Sequence, residues 1–275
     1  MKIATIQLTP TTDPRENLAQ MRVRAAEAAA TGARVMVFPE QTMVLLQSVT
    51  VDALSEVAAE WWEAFAALTS ELAVEHDAVV IAAGFEPSPD GLPFNTVIAV
   101  GPGGEELARY RKLHLYEAFS QSESAHTRAG TELPPVFDVK HDGETLRLGL
   151  ANCYDIRFPE MFRSLVDRGA NVCVVVAAWA SGPGKEAHWS LLTQTRALEN
   201  VSWLVASAVV GGGPRNAATV GLSRIVDPLG EVVAGLGPRE EGIAVADVTS
   251  GAVDRARGVL PALANRRITL DYRVN

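Results

Sequence analysis

The stretch NVCVVVAAWA, residues 171–180, limits the fold more than any other part of the chain. A strand with one wet face alternates polar and apolar side chains, and this run has almost no polar member. It is also far shorter than the ~20 apolar residues needed to cross a bilayer. It reads as a strand buried on both faces, and such a strand needs a layer on each side. Helical patterns flank it. FPEMFRSLVDRGA (158–170) comes before, with Phe158, Phe162 and Leu165 near one face, and KEAHWSLLTQTRALENV (185–201) comes after, followed by the strand WLVASAVVG (203–211). Alternation of this kind predicts a layered α/β fold.

The N-terminal half repeats the habit. KIATIQL (2–8) reads as a strand, and a helix follows in which Asp13 can cap, Pro14 suits the first turn and Glu16 has capping-box spacing. Leu18, Met21, Ala25 and Ala28 share one face of that helix, and Gly32 stops it. ARVMVFPE (33–40) is a short buried strand ended by Pro39. A second helix spans roughly 52–75, with Trp61 and Trp62 as core or interface anchors. DAVVIAAGFE (77–86) and FNTVIAVG (94–101) are strands, the latter turning through GPGG into EELARYRK as a hairpin. LRLGLANCYD (146–155) is an apolar strand. Two strands near 218–226 and 231–247, a helix near 250–265 and the tail RRITLDYRVN (266–275) complete the chain. Hairpins beside β-α-β units predict mixed sheets. With no long linker, low-complexity tract or repeat of 20–50 residues, one domain over 1–275 is expected.

Composition narrows the function. The chain has 275 residues, 48% of them hydrophobic, enough for a sizeable core. Its net charge is −9 with Lys and Arg scattered, which argues against a nucleic-acid partner. The opening MKIATIQLTP is too short and too alternating for a secretion signal, so neither export nor a membrane is expected. Only Cys153 and Cys173 carry thiols, too few for a disulfide framework, and a cytoplasmic protein with reduced thiols is expected. His76, His114, His126, His141 and His188 show no metal spacing, and no metal or organic cofactor is expected. His114 reads as a supporting or packing residue, His188 as a helix-start residue and Cys173 as core. SGPGKEA (181–187) lacks the spacing and the Ser/Thr of a phosphate-binding loop, and GGGPRN (211–216) reads as a turn or pocket-edge loop.

Three reactive side chains stand where strands stop: Glu40 after VMVFP, Lys112 after ELARYR and Cys153 after LRLGLAN. Sites in open α/β sheets gather outside the carboxyl ends of strands. A free thiol has a pKa near ~8.5 and needs help at neutral pH. A carboxylate can take its proton. An ammonium and the positive end of a following helix favour the thiolate, and the ammonium can hold an oxyanion. Each residue also has a plain alternative: a buried inert cysteine, a turn glutamate after proline, and a lysine on a solvated strand face beside Arg109 and Arg111. Spacing alone leaves these open.

The wording of the sequence separates them. VFPE, RKLHLYEAF followed by ES, and LANCYDIRFPEMFR resemble the three signature blocks of the nitrilase superfamily, the carbon–nitrogen hydrolases, in the family's order. GFEP…FNTVIAV, AAWASGPGKEAHWSLLTQTRALEN and DPLGEVVA agree, so the resemblance covers nearly the whole chain. It implies a four-layer α-β-β-α sandwich of two mixed β-sheets between helices. It implies a homodimer or larger homo-oligomer, with a tail such as 266–275 crossing to the partner. It implies Glu40 as general base, Lys112 as support for the tetrahedral intermediate and Cys153 as nucleophile. A second glutamate holds the lysine and the amide; Glu123 of SES fits that position better than Glu117. The backbone N–H of Tyr154 joins Lys112 at the oxyanion.

Tyr154-Asp155 after the cysteine, where nitrilases commonly have Trp-Glu, resembles the Nit-type amidases, which include ω-amidases and deaminated-glutathione amidases. The expected partners are then water and a small carboxylate-bearing ω-amide, cleaved to acid and ammonia through a thioester. Arg157 either meets that carboxylate or ties down the turn through Asp155 or Glu160, the structural role being preferred. Trp179 either lines the pocket or only packs. Two other readings stand beside this one: an N-carbamoyl amino acid amidohydrolase and a catalytically silent dimeric scaffold. Glu40, Lys112 and Cys153 are all intact, which counts against the scaffold.

Overall fold

The computed structural model describes the chain apart from residues 47–50, 90, 120, 213–217 and 275. The first half runs β1 (Lys2–Gln7), α1 (Pro14–Ala30), β2 (Val35–Val37), α2 (Val51–Glu75), β3 (Val79–Glu86), β4 (Phe94–Val100) and β5 (Glu106–Arg111). A small hairpin follows, β6 (Glu117–Ala118) and β7 (Gln121–Ser122). Then come β8 (Val136–His141), β9 (Glu144–Asn152), a 3₁₀ turn over Cys153–Arg157, α3 (Pro159–Asp167), β10 (Val172–Ala177), α4 (Lys185–Asn200) and β11 (Trp203–Ala208). The last elements are β12 (Val210–Gly212), β13 (Ala218–Val220), β14 (Arg224–Val226), β15 (Val232–Gly235), β16 (Gly242–Asp247) and α5 (Ser250–Val259).

Two six-stranded mixed sheets form, ordered β16-β1-β2-β3-β4-β5 and β15-β14-β11-β10-β9-β8. From β16, successive pairs in the first sheet are antiparallel, parallel, parallel, antiparallel and antiparallel. From β8, the second sheet follows the same pattern. One plan is used twice, with equivalent strands β1 and β9 beginning at Lys2 and Glu144. No short sequence repeat marks it, because topology is repeated and wording is not.

The period-2 alternation of strands builds the layers. Ile3, Val35, Val37, Val79 and Ile81 face inward and join the core shared with the second sheet. Their neighbours Ala4, Ile6, Met36, Phe38, Val80 and Ala82 face outward onto α1 and α2, where Met21, Ala25, Leu54, Phe65 and Leu68 meet them. On the far side Met161, Phe162, Leu165 and Trp189 of α3 and α4 close the second sheet. The order helix, sheet, sheet, helix is the four-layer sandwich that the resemblance implied. The run at 171–180 behaves as its composition required, every residue of β10 being buried.

Several local expectations need correction. Asp13 does cap α1, accepting from the Arg15 N–H at 2.9 Å, but Glu16 does not close a capping box. The Asp13 N–H is taken by Thr11 Oγ1 at 3.1 Å. The strand expected over 218–226 is broken, since Gly221 and Leu222 both take positive φ, 58° and 60°. The strand expected over 231–247 is two strands in different sheets, β15 and β16, because the chain crosses the sandwich around Gly237 and Pro238. The last helix ends at Val259, two residues before Pro261, a residue that has no N–H to continue it. Residues 260–274 form neither helix nor strand, and Arg266 and Tyr272 both meet Asp167 at the end of α3.

The packing of α3 on β9 fixes where Cys153 emerges. Gly149 allows the close approach, because a Cβ there would stand 2.7 Å from Leu165 Cδ2, and Leu165 is fully buried. Gly149→Ala should therefore destabilise the protein by about 1–3 kcal/mol through overpacking. Urea unfolding checks this: a lower midpoint at unchanged slope is expected, and an unmoved midpoint would mean that α3 tolerates displacement.

Candidate active site

Glu40, Lys112 and Cys153 come together from three strand ends. Glu40 follows β2 by way of Phe38 and Pro39, Lys112 follows β5 in the same sheet, and Cys153 follows β9 in the other. They line one cavity of about 330 Å³ with Tyr116, Glu123 and Trp179. Glu40 and Lys112 are almost sealed from solvent.

Lys112 is held between two carboxylates. Its Nζ donates to Glu40 Oε1 at 3.0 Å and to Glu123 Oε1 and Oε2 at 3.0 and 2.8 Å. Each glutamate is pinned further. Glu40 Oε2 accepts from the Ala178 N–H at 2.7 Å, and Glu123 Oε2 accepts from the Tyr116 N–H at 2.8 Å. Asn95 Nδ2 bridges them, 2.7 Å from Glu40 Oε1 and 3.0 Å from Glu123 Oε1, while Asn95 Oδ1 accepts from Asn152 Nδ2 at 2.8 Å. Asn95 was not anticipated from the sequence. It belongs to FNTVIAV and points inward from β4 beside Lys112, whose N–H donates to the Asn95 carbonyl. Glu117, the other candidate, lies on the exposed hairpin and accepts from the Ser124 N–H instead.

Cys153 has φ = +49°, a left-handed conformation that is uncommon and strained for a residue with a Cβ. Buried Asp155 fixes the turn that holds it there. Its carboxylate accepts from the Asn152 N–H at 2.8 Å and the Tyr110 hydroxyl at 2.7 Å, and lies 2.7 Å from His114 Nδ1. His114 also stacks on Phe158 with ring centroids 3.7 Å apart, so it is a supporting residue. The expectation of a helix N-terminus directly after the cysteine is not met, because α3 begins only at Pro159, after the 3₁₀ turn.

Charge sets the resting state. Burial pulls the Lys112 pKa down, but Glu123 and then Glu40 reverse this and leave it well above the ordinary lysine value. For Cys153, burial and then the charge of Glu40 push the thiol well above its ordinary value; Lys112 opposes them, and a hydrogen bond to Glu40 and the charge of Glu123 add to the rise. Burial and the two carboxylates together outweigh the ammonium, so the help that Lys112 gives the thiolate does not prevail in the resting site. Cys173 is also buried, on β10, and burial pushes its thiol up to about 12 with no carboxylate beside it.

Of the three residues expected to touch substrate, Trp179 lines the cavity and the side chains of Tyr154 and Arg157 do not. Tyr154 packs edge-on between Tyr116 and Phe158. Arg157 does not tie the turn to Asp155 or Glu160, as had been preferred, because Asp155 is already engaged. Its guanidinium lies 4.7 Å from the Trp179 ring centroid and 3.4 Å from His188 Nδ1. His188 sits in the first turn of α4, as expected. Sequence reasoning also missed Lys185, whose buried side chain lines the cavity opposite the acidic cluster. Its signal was the SGPGKEA stretch, weighed only as a phosphate loop. Most of GGGPRN lies outside the described residues. Among the described residues no group of His, Cys, Asp and Glu could hold a metal ion, and no helix is long and apolar enough to cross a membrane.

Comparisons with known proteins show the family. The family model described as carbon-nitrogen hydrolase matches residues 2–258. A hydrolase of Mycobacterium tuberculosis is 39% identical over 277 residues, covering 97% of this chain and 95% of its own. The deaminated glutathione amidase of Synechocystis sp. is 33% identical over 272 residues, covering 96% and 97%. Among solved structures, the E41Q mutant of the amidase from Nesterenkonia sp. AN1 superposes with a TM-score of 0.81 at 28% identity, covering 97% of this chain and 94% of that one. That protein carries the acetamide moiety of fluoroacetamide covalently on its active-site cysteine.

Because the negative charge of Glu40 raises the Cys153 pKa, Glu40→Gln should move the pH midpoint of Cys153 alkylation by iodoacetamide downward, while Lys112→Met should move it upward. Peptide mass spectrometry separates Cys153 from Cys173. A midpoint unmoved by Glu40→Gln would remove the carboxylate from the neighbourhood of the sulfur.

Proposed function

The chain belongs to the carbon–nitrogen hydrolase family, and from that premise we propose that it is a cysteine-dependent amidase that cleaves the primary amide of a small carboxylate-bearing ω-amide, giving acid and ammonia. The observation that supports this most is the buried contact of Lys112 with both Glu40 and Glu123 in the cavity that Cys153 enters. The deaminated glutathione amidase named among the relatives supports the amide class.

In this reading Glu40 takes the thiol proton as Cys153 Sγ attacks the amide carbon. The C=O pair moves onto oxygen, which Lys112 and the Tyr154 N–H hold. Lys112 has three N–H donors; one serves Glu40 and one is shared by the Glu123 oxygens, leaving one for the oxyanion. Such a preorganised donor is worth about 3 kcal/mol of transition-state stabilisation. Glu40 returns its proton to the leaving nitrogen, the C–N bond breaks and ammonia departs. The thioester is hydrolysed by a water that gives its proton to Glu40, and that proton returns to sulfur as the acid leaves. Glu123 holds Lys112 and the substrate amide in place. Trp179 forms part of the wall.

A reduced thiol fits the cytoplasm, where we place the enzyme. A homodimer would cover Leu191 and Leu198 on α4 and nearby Leu229, which are 64%, 45% and 46% exposed. Residues 266–275 could extend to a partner in such an assembly.

Ammonia release from ω-amides of keto acids, deaminated glutathione, carbamoyl amino acids and nitriles tests the proposal beside Cys153→Ala. Ammonia from an ω-amide, absent in the variant, is the expected result. Carbon dioxide released with ammonia would reassign the substrate to the carbamoyl class. Lys112→Met and Glu40→Gln should each lower kcat by about 10²–10³-fold, and substrate-dependent mass gain on Cys153 should appear when hydrolysis of the thioester is slowed in Glu40→Gln.

A further inference from the structure

The cavity has a second charged end. Lys185 is only 7% exposed, and no carboxylate among the described residues lies within 4 Å of its Nζ. Its one hydrogen bond goes to the Tyr116 hydroxyl oxygen at 2.9 Å. The ammonium otherwise faces aromatic rings, 3.5 Å from the Phe119 centroid and 5.9 Å from that of Trp179. Burying an ammonium without an acid is costly, and two of its three N–H donors remain unspent, as does the Tyr116 O–H.

Helix stability does not explain this placement. Lys185 is the first residue of α4, where the helix dipole disfavours a cation. Gly182 and Gly184, at φ = +144° and +73°, form the turn that turns Lys185 into the cavity. Two positive features, the ammonium and the helix start, thus converge on a pocket end with unspent donors. The opposite end holds Glu40 and Glu123 against Lys112 alone and repels an anion. Tyr116 spans the gap, with its N–H on Glu123 and its hydroxyl on Lys185. The Glu123 carboxylate and the Lys185 ammonium are therefore separated by about the reach of one tyrosine.

We propose that Lys185, with the Tyr116 hydroxyl, is the subsite that binds the substrate's distal carboxylate, the role for which Arg157 had been considered. This rests on the amidase reading and adds to it: one ammonium and one phenol suit a single planar carboxylate, and the span suits a short ω-amide. A phosphate group would call for more N–H donors or a bidentate Arg.

The test has two arms, both on the full chain. In the first, kcat/KM is measured for succinamate and for its uncharged methyl ester by ammonia release. Lys185→Met should lower the preference for succinamate over the ester by about 10–100-fold, the worth of a hydrogen-bonded charge, and Lys185→Arg should retain more of it. An unchanged preference overturns the subsite. In the second arm, succinate should protect wild-type Cys153 from iodoacetamide, and Lys185→Met should lose that protection. Protection that persists in the variant also overturns it. If the wild type cleaves no amide yet succinate protects it in a Lys185-dependent way, the amidase reading fails and the carboxylate subsite stands. Should Lys185→Met not fold, Tyr116→Phe serves in both arms, with a smaller loss in the same direction expected and no loss counting against the subsite.

Discussion

The contact of Lys112 with two buried carboxylates governs the rest of the site. Burying three charges is expensive, and such clusters are poor sources of stability. The surroundings accordingly satisfy almost every oxygen: Asn95, the Ala178 N–H and the Tyr116 N–H all donate into it. Burial, and then the charge of Glu40, hold the Cys153 thiol well above its ordinary pKa against the pull of Lys112. A thiolate there would add negative charge in a low dielectric. In the mechanism we propose, nucleophile formation is therefore tied to the arrival of an electrophile: the proton moves to Glu40 as negative charge passes from sulfur to the carbonyl oxygen beside Lys112.

The sandwich is what makes the convergence possible. Glu40 and Lys112 end β2 and β5 of one sheet, while Cys153 ends β9 of the other. Neither sheet alone holds the group. Stacking one pairing pattern twice sets strand ends from both sheets against each other. Interlayer hydrogen bonds, Thr5 Oγ1 to the Ala206 carbonyl at 2.8 Å and Ser207 Oγ to the Ile6 carbonyl at 2.6 Å, tie the central strands across the interface. The strained φ of Cys153 is tolerated because Asp155 locks the following turn from the protein side.

This explains which features were legible in the sequence. Strands buried on both faces, the helix faces and the three reactive residues at strand ends are local facts, visible as composition and period. Glu123 was legible only through the family wording, since no local pattern separates it from Glu117. The crossing between β15 and β16 is not a local fact: the Gly-Pro turn at 237–238 between them can end a strand, but it does not tell which sheet the next strand joins. Asn95 was unremarkable as one polar residue in a strand. Arg157 was misjudged because sequence proximity suggested Asp155, whereas the turn had already directed that carboxylate to Tyr110 and Asn152.

Lys185 illustrates the remaining difficulty. A glycine-rich turn before a lysine suggests a phosphate loop, and the absence of that spacing seemed to dispose of the segment. What matters instead is that Gly182 and Gly184 turn a helix start toward a cavity made by other elements. The chemistry and the subsite then reside on different parts of the fold: Glu40, Lys112 and Cys153 follow strand ends locked by the sandwich, whereas Lys185 hangs on one turn beyond β10. On the proposed reading, a change in that turn would alter which substrate is held without disturbing the buried charge cluster. Tyr116 couples the two, because its backbone N–H donates to Glu123 and its hydroxyl accepts from Lys185. With the carboxylate subsite we propose, a rigid ring rather than a flexible loop would set the substrate length, and longer or shorter substrates would need that residue, or the turn that carries it, to change.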